Sequence, residues 1–582
     1  MAPQTKICQN CKKDFTIDSD DFSFYKKMKV PAPTWCWSCR MVRRMNFRNE
    51  RTLYKRKCDA LGHEEQIFSA YSPGSGVVYD QKYWWGDSWS PMDFGRDYDF
   101  SKTFFEQFND LFLKVPRSNL TNKNNVNCEY VNWMDDSKNC YLTFGGGWGE
   151  NIIYGNRPFS SRDSVDIYFT DKVEFCYENI NCQNSYKLFF GENCSNCVES
   201  FLMYDCKNCS NCFGCVGLRN KQYHVFNIAY TKDDYIKEID RLKLGNYSNL
   251  IKNKKEFEDL KLKLPKKFAS FVRMQNTTGD YIIDAKNCKY IFDCVDGKNE
   301  DSKFAFWLGG GVRDMYDGIA CGVGGELIYE SVAAGVSSSK INFSVEIRES
   351  QNVQYSVICY NCSNLFGCVG LRNKSYCILN HQYTKEQYEE LVPKIIQHMN
   401  DMPYIDAKGR VYKYGEFFPT ELSPFCYNET IAQEYFPLTK EEALKQGYQW
   451  KDAEERNYTL DIKTTDIPDN IQDVDESILG KVIECEHQGK CNEQCTEAFK
   501  IIAPELQFYQ RMNLPLPHLC PNCRHYQRLK QRNPLKLWHR ACMCEKTTHT
   551  HIGKCPVEFE TSYAPERPEI IYCEKCYQGE VY

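Results

Sequence analysis

The sequence lacks long apolar runs and the common signatures of catalysis. Across 582 residues, no stretch reaches the roughly 18 uninterrupted apolar residues of a membrane span. The first residues lack the apolar core of a secretory signal. Ten histidines are few for this length, and no nucleophile elbow, HExxH or Walker pattern occurs. We therefore expect a cytoplasmic protein without a membrane partner, and the sequence favours a non-enzymatic role.

The chain also lacks an excess of charge of either sign. Its formal net charge is −5, with 26% charged and 42% hydrophobic residues, which excludes a disordered chain or a highly charged tail. Two residue classes are abundant instead: 33 cysteines, and aromatics in the form of 39 Tyr, 35 Phe and 10 Trp. In a reducing cytosol, cysteines bind metal or pack as small apolar side chains rather than pair.

Two cysteine pairs near the start are spaced as ligands of one metal ion. Cys8-x2-Cys11 is followed by Cys36-x2-Cys39. Four thiolates complete a tetrahedral site that is closed to substrate and therefore structural. We expect zinc, with iron in a rubredoxin-like site as the alternative. The segment after Cys39 predicts a helix that opens at the second pair, the ligand plan of a treble clef.

The end of the chain repeats this module at a shift of 484 residues. Cys36 and Cys39 align with Cys520 and Cys523, and the matching prolines and aromatics fall in register. The first pair becomes Cys491-x3-Cys495. The predicted ligands of a second zinc are therefore Cys491, Cys495, Cys520 and Cys523.

A further cysteine module follows each of these two. Near the C-terminus the predicted third zinc site consists of Cys542, Cys544, Cys573 and Cys576, with Cys555, His549 and His551 as spare ligands. In the N-terminal copy, Asp80 and Tyr83 stand where the other copy has Cys573 and Cys576. We expect this copy to have lost its metal and to use Trp84, Trp85 and Trp89 for aromatic packing instead. The expected content is about three zinc ions per chain.

Residues 127–216 run on a 12-residue period with one slip of six. Most rows begin with Asn or Asp, followed by Cys or another small or apolar residue, as in Asn127-Cys128 and Asn139-Cys140. In a β-solenoid, equivalent side chains stack about 4.8 Å apart, so a column of Asn residues can bond amide to amide. Part of the pattern recurs in a second array, where the segment 213–221 reappears as 366–374. The sequence therefore predicts two short β-solenoids.

Each predicted array ends in a helix signal. Thr231 and Thr384 are placed as N-caps, with an acidic or amide side chain three residues later. A helix from each Thr would cover the open end of its array. A further helix is expected over residues 249–264, ended by Pro265.

The run Cys206-x2-Cys209-x2-Cys212-x2-Cys215 resembles the cysteine run of a bacterial ferredoxin. Its second copy keeps Cys368 but has Leu365 where the first has Cys212, and leucine cannot ligate a metal. Stacked interior thiols are therefore the favoured interpretation, and an iron–sulfur redox centre stays open as an alternative.

The segments after the second cysteine pairs are strongly basic. Positive charge is concentrated there in an otherwise slightly acidic chain. Basic helices interleaved with aromatics are typical of contacts with nucleic-acid phosphates and bases, although pairing with acidic segments would also explain them. The candidate RNA- or DNA-binding residues are Arg40, Arg43, Arg44, Arg48, Arg524, Arg528, Lys530 and Arg532.

Four phrases of the sequence resemble a known protein family. They are the segments 48–58 (RNERTLYKRKC), 95–100 (GRDYDF), 424–430 (PFCYNET) and 559–567 (FETSYAPER). They look like the large, uncharacterised, cysteine-rich zinc-ribbon proteins of candidate phyla radiation bacteria. The resemblance covers essentially the whole chain and implies zinc binding. In that family the second N-terminal module also carries paired cysteines, from which Asp80 and Tyr83 depart.

We therefore predict a multidomain, mostly β protein with two tandem β-solenoid arrays, helical caps and treble-clef or zinc-ribbon modules at both ends. The predicted function is a non-enzymatic zinc protein that binds a macromolecule, with RNA or DNA as first choice and a protein- or glycan-binding scaffold as alternative. The predicted segments are a zinc module (1–57), a degenerate zinc-ribbon module (58–100), a helical connector (101–126), array 1 (127–229), a helical cap and linker (230–275), array 2 (276–383), a helix and extended linker (384–480), a zinc module (481–541) and a zinc-ribbon module (542–582).

Overall fold

The computed structural model describes residues 2–63, 65–295, 297–453, 457–549 and 551–581, in which strand outweighs helix. The chain forms two compact units. The first unit comprises Met1–Thr121, Ala269–Asp452 and Leu535–Leu537; the second comprises Asn122–Phe268, Ala453–Pro534 and Trp538–Tyr582. Each unit thus combines one array of strands with one pair of cysteine modules. The first unit contains array 2 and the N-terminal modules, and the second contains array 1 and the C-terminal modules.

In the first unit, the strands of array 2 dominate. The helices are Ser19–Met28, Trp37–Met45, Gln81–Trp85, Phe104–Lys114, Lys385–Asp401, Ile431–Tyr435 and Lys440–Lys445, with 3-10 turns at Pro91–Phe94, Thr420–Leu422 and Tyr427–Glu429. The strands outside the array are Gln4–Ile7, Asp14–Ile17, Tyr54–Lys57, Gln66–Ser69, Val78–Tyr79, Arg117–Ser118, Tyr404–Ile405 and Val411–Tyr412. The array strands are Phe271–Gln275, Gly279–Lys286, Lys289–Cys294, Asn299–Glu300, Lys303–Leu308, Arg313–Cys321, Glu326–Val336, Ser339–Asn342, Val345–Arg348, Gln351–Gln354, Val357–Tyr360, Ser363–Phe366, Ser375–Ile378 and His381–Gln382.

The second unit has the same kinds of elements around array 1. Its array strands are Glu150–Ile153, Asn156–Phe159, Arg162–Val165, Tyr168–Asp171, Tyr186–Glu192, Val198–Tyr204, Ser210–Val216, Gln222–Val225 and Ile228–Ala229. The helices are Lys232–Leu242, Tyr247–Lys263, Ala503–Met512, Pro521–Gln531 and Glu574–Val581, with 3-10 turns at Thr464–Asp466, Ile471–Asp473 and Glu476–Ile478. The remaining strands are Lys266–Lys267, Ile483–Glu484, Ala498–Phe499, Trp538–Ala541, Glu558–Thr561 and Ile571–Tyr572.

Array 1 is a stack of parallel strands in which paired residues are 12 positions apart, ended by the antiparallel strand Ile228–Ala229. Phe189 pairs with Phe201, and Phe201 pairs with Phe213. Isolated parallel bridges continue the same offset through the segments between strands, as at Lys123 and Asp135. The 12-residue period of the sequence is therefore the spacing of paired backbone segments.

Within array 1, every third residue from Asn124 to Phe226 has a left-handed backbone, with φ between 44° and 70°. The next residue points into the array: Cys140, Ile152 and Cys176 are each at most 1% exposed. A left-handed residue costs most side chains about 1–2 kcal/mol, and Asn and Asp tolerate it best. This requirement explains why Asn and Asp lead the rows. It also explains the slip of six, because six residues are two three-residue steps.

The predicted column of amide bonds is present in array 1. Asn127 Nδ2 donates to Asn139 Oδ1 at 2.8 Å, and Asn139 donates in turn to Asn151 at 2.9 Å. A second run links Asn196 to Asn208 at 2.9 Å, and the chain of bonds continues from there to the next row. The stacked amides form hydrogen bonds with one another along the array. The same Asn residues therefore adopt the left-handed backbone and build the amide column.

Array 2 uses the same parallel pairing with less regular steps. Val345 pairs with Val357 at an offset of 12, whereas Lys303 pairs with Tyr316 at 13. Ala285 pairs with Asn299 at 14. The rows that are longer than 12 residues therefore include those in the first half of the array.

The predicted helices at the ends of the arrays are confirmed. Thr231 Oγ1 accepts a hydrogen bond from the Asp234 amide, and Thr384 Oγ1 accepts one from the Gln387 amide. Each helix packs on the last strands of the array that precedes it, for example through Tyr235. The helix expected over residues 249–264 is also present, as Tyr247–Lys263.

Candidate metal centres

The first cysteine module brings its four predicted ligands together. The Sγ atoms of Cys8, Cys11, Cys36 and Cys39 all lie within 4.8 Å of one another. Cys11 and Cys36 Sγ are 3.8 Å apart, which matches the edge of about 3.8 Å for a tetrahedron of thiolates around zinc. The Cys36 amide, at the start of the helix Trp37–Met45, donates to Cys8 Sγ at 3.2 Å. The donor set therefore fits a tetrahedral, thiolate-bound metal ion.

The corresponding C-terminal centre differs from the prediction by one ligand. The group is Cys485, Cys495, Cys520 and Cys523, and Cys491 lies outside it. The Cys520 amide donates to Cys485 Sγ at 3.2 Å, just as the Cys36 amide donates to Cys8 Sγ. Cys485 is therefore the structural counterpart of Cys8. The prediction missed it because the loop to the second ligand is longer here, although Cys485 directly follows a strand, as Cys8 does.

The third centre also exchanges one predicted ligand. It groups Cys542, Cys555, Cys573 and Cys576, so that Cys555 replaces Cys544. Cys555 and Cys573 Sγ are 3.9 Å apart, and the Cys573 amide donates to Cys542 Sγ at 3.2 Å. Cys542 lies at the end of one hairpin strand and Cys555 shortly before the other. Cys544 lies opposite Cys555, whose amide donates to the Cys544 carbonyl, and its sulfur falls in a different group of possible ligand atoms.

The module around Cys58 keeps the backbone of the third centre but not its ligands. The Asp80 amide donates to Cys58 Sγ at 3.2 Å, the same contact that the Cys573 amide makes with Cys542. The Asp80 carboxylate accepts from the Lys82 amide and so caps a short helix. Tyr83 packs beside Cys58 together with Tyr79, whose ring centre is 5.2 Å away.

Of the tryptophans predicted to replace the metal, Trp89 packs on Tyr79 with ring centres 5.5 Å apart, and all three also lie towards array 2. Trp84 and Trp85 pack on Tyr360 of array 2, with ring centres 6.0 and 5.0 Å away. Trp89 joins them beside Arg372, whose guanidinium lies 5.6 Å from its ring. Their role is to dock the module on the array, and the space beside Cys58 is filled by tyrosines.

The basic residues predicted to bind nucleic acid are almost all buried. Seven of the eight are at most 7% exposed, namely Arg40, Arg43, Arg44, Arg48, Arg524, Arg528 and Arg532. Lys530 is the exception: its side chain is 68% exposed and pairs with Glu493. The seven guanidinium groups are therefore not accessible to a phosphate backbone in this fold, which corrects the prediction for them.

In the first unit, the buried arginines pair with carboxylates of array 2. Arg40 and Arg44 contact Asp317 at 2.7 and 3.0 Å. Arg43 contacts Glu330 at 3.1 Å and Glu416 at 3.0 Å. Burial alone would lower the pKa of Arg40, but Asp317 and its neighbours raise it well above its usual value. The cluster thus ties the helix after the metal ligands to the array.

The second unit repeats this cluster with other residues. Arg524 and Arg528 contact Asp166 of array 1 at 2.5 and 3.0 Å. Arg528 also contacts Glu178 at 2.9 Å, and Arg524 contacts Glu505 at 3.4 Å. Asp166 and Glu178 occupy left-handed positions one row apart, as Asp317 and Glu330 do in array 2. In both units, buried arginine–carboxylate ion pairs therefore attach the helix after the metal ligands to the array.

The interior cysteines of the arrays behave as packed thiols. Cys206, Cys209, Cys212 and Cys215 are at most 1% exposed, and each Sγ donates to a backbone carbonyl two residues earlier, at 3.3 to 3.4 Å. Burial raises the pKa of Cys176 to about 12 and that of Cys206 well above its usual value, whereas hydrogen bonds from neighbouring thiols lower the pKa of Cys209. Among the described residues, the groups of metal-ligand atoms include none of the array cysteines.

A scan against protein-family models gives no match for this chain, and a search of the curated proteins gives no significant match either. Within the described residues, every helix is too short or too polar to span a bilayer.

Proposed function

We propose that the protein is a non-enzymatic, zinc-dependent scaffold made of two short β-solenoids, each locked by a treble-clef module. The observation that carries this proposal is the burial of the arginines that follow the metal ligands. Inside the protein these arginines form ion pairs with carboxylates of the arrays. The metal modules therefore stabilise the arrays rather than present a ligand-binding surface.

Several features support zinc and a reducing compartment. The three all-cysteine groups match a closed tetrahedral site with four protein ligands and no open position for a substrate. The array thiols are packed and hydrogen-bonded as thiols, which suits the cytosol. The likeness of four sequence phrases to cysteine-rich zinc-ribbon proteins of candidate phyla radiation bacteria agrees with this assignment.

The outer faces of array 1 are the proposed surface for a protein partner. Trp148 and Val126 are 60% and 59% exposed there. A column of alternating charges, Lys138, Glu150 and Arg162, runs beside them with contacts of 3.5 and 4.0 Å. Mixed charge with exposed apolar side chains suits a protein partner better than a polyanion, which would require net positive charge.

Elemental analysis with visible absorbance, on protein purified without chelator, tests the metal assignment. Zinc without visible colour is expected; bound iron with acid-labile sulfide would overturn the proposal in favour of a redox protein.

Titration with fluorescent single-stranded RNA and duplex DNA, between about 50 and 300 mM salt, tests the choice of partner. We expect no specific binding. Binding that weakens steeply with salt, and that is reduced by Lys530→Ala, would instead support the nucleic-acid function. The variant Lys237→Ala, an exposed lysine on the helix Lys232–Leu242, serves as control.

A further inference from the structure

Beside each of the two C-terminal all-cysteine groups lies a second set of four possible ligands, three of which belong to no all-cysteine group. One set is His487, Cys491, Glu493 and Cys523; the other is Cys544, His549, His551 and Cys576. In each set the donor atoms all lie within 4.8 Å of one another. Each set shares one cysteine with the neighbouring all-cysteine group: Cys523 in the first case and Cys576 in the second.

We propose that both centres are binuclear, with a second divalent metal ion joined to the first through a bridging thiolate. A thiolate sulfur has enough lone pairs to bind two cations at once. The inference rests on the proposed structural zinc and adds two metal ions to it. Zinc is the metal that fits best, since it accepts cysteine, histidine and carboxylate ligands in one tetrahedral site.

The geometry around Cys523 supports a second ion. Cys491 Sγ lies 3.7 Å from Cys523 Sγ, as thiolates on one metal ion do. His487 Nδ1 and Glu493 Oε2 face each other at 3.1 Å, and neither atom has a hydrogen-bond partner within the described part of the chain. The Glu493 side chain is only 5% exposed. A buried carboxylate oxygen without a partner is costly, and a metal ion between these donors would satisfy it.

The charges of this centre also suit two ions. Its five thiolates and one carboxylate carry six negative charges. Two divalent ions leave a net charge of −2, the same as one zinc with four thiolates. With a single ion, Cys491 Sγ and Glu493 Oε2 would lie beside the first site without a metal, and Lys530 contacts only the other oxygen of Glu493.

The second set near the C-terminus has the supporting contacts of a metal site. Cys544 Sγ lies 3.0 Å from His549 Nδ1, and Cys576 Sγ lies 3.4 Å from His551 Nε2. The other ring nitrogen of His549 faces Glu580 at 3.3 Å. A carboxylate behind a ligating histidine fixes the ring and strengthens its metal bond. Cys544, which the sequence predicted as a ligand of the third zinc, belongs to this second set instead.

The N-terminal centre provides an internal control. Only two residues, Gln9 and Asn10, separate Cys8 from Cys11, so there is no loop to supply counterparts of His487, Cys491 and Glu493. In the described residues, the sets of ligand atoms add no second group to Cys39, which is the counterpart of Cys523. The longer C-terminal loop is therefore what creates the additional site.

Native mass spectrometry of the full chain, loaded with zinc and desalted without chelator, tests the inference. Five zinc ions per chain are expected. Three ions would overturn the binuclear centres while leaving the proposed structural zinc intact, whereas no zinc would overturn the proposed function itself. Cys491→Ser and His549→Ala should each lose one ion, and His539→Ala, at an exposed histidine outside both sets, should lose none.

Cobalt substitution keeps the test decisive if a variant does not fold. High-spin cobalt ions that share a thiolate couple antiferromagnetically, so the electron paramagnetic resonance intensity per cobalt should fall as adjacent sites fill in the wild-type protein. Intensity that grows in proportion to cobalt up to saturation would show isolated ions and contradict the inference.

Discussion

The modules around Cys58 and Cys542 share a backbone but differ in what fills it. Both form a hairpin, a short strand and a helix, and in both a cysteine sulfur accepts the amide that begins the helix at 3.2 Å. In both, the short strand pairs in parallel with a strand that leads towards an array, Arg117–Ser118 or Lys266–Lys267. One module gathers cysteines and histidines, and the other packs tyrosines beside a single cysteine. The hydrogen bond from the amide at the helix start to the cysteine sulfur therefore persists when the metal ligands are replaced.

The largest expected difference comes from replacing one cysteine in each of these two modules. Cys573→Ser should release metal and unfold residues 538–581, because metal binding and folding of such small modules are coupled, with about 10–16 kcal/mol in zinc-finger peptides. Cys58→Ser should cost only about 1 kcal/mol, since serine still accepts the Asp80 amide. Hydrogen exchange of the two modules measures both effects. Retained protection of residues 538–581 in Cys573→Ser would show that the metal is not what holds them.

The buried ion clusters of the two units should respond alike. Asp317→Asn and Asp166→Asn each leave two buried guanidinium groups short of a partner, which should cost about 3–5 kcal/mol. Asp314→Asn, which breaks an exposed pair with Lys27, is the matched control and should cost less than about 1 kcal/mol. Urea denaturation checks the three values. Equal, small costs for all of them would mean that the clusters do not fasten the modules to the arrays.

The left-handed positions of the arrays allow a smaller, paired test. Asn208→Ala in array 1 and Asn361→Ala in array 2 should each cost about 1–2 kcal/mol, because alanine adopts this backbone poorly and ends an amide run. Asn208→Gly and Asn361→Gly keep the backbone and should cost less. Thermal unfolding separates the two contributions. A glycine variant as unstable as the alanine variant would assign the effect to the amide bonds alone.

The last prediction concerns how fast the thiols of array 1 react with a disulfide reagent. Its first cysteine, Cys128, is partly exposed and has a pKa lowered to about 7 by the Cys140 thiol, whereas burial raises the pKa of Cys176 to about 12. At pH 8 the first is mostly thiolate and the second is protonated. Cys128 should therefore react with a disulfide reagent at least about 10³-fold faster. Mass spectrometry of modified peptides measures this ratio, and equal rates would show that array 1 opens readily.

The sequence predicted the elements of the arrays well because their rules are local. Asn and Asp at the row starts, Thr at the helix starts and cysteine pairs at helix openings each act over a few residues. The three-residue step within each row is also visible in the spacing of Cys206, Cys209, Cys212 and Cys215.

The errors in the site arose where distant residues decide the outcome. Cys485 was not predicted as a ligand, and Cys555 was predicted only as a spare one, because loop length, which spacing rules do not fix, determines which sulfur reaches the metal. The arginines after the ligands were interpreted as a basic surface because Asp317 and Asp166, which bury them, lie hundreds of residues away. Charge patterns along a chain do not reveal which charges meet in the fold.

The pairing of Arg40 with Asp317 has a consequence for synthesis. The two residues are separated by 277 positions, and Arg524 and Asp166 by 358. At a translation rate of about 5–20 residues per second, the helix of Arg40 waits roughly 15–60 s for its partner to be made. During that time its apolar and charged faces are uncovered, and array 1 is in turn without the module that completes it. The first unit can therefore complete its folding only after array 2 has been synthesised.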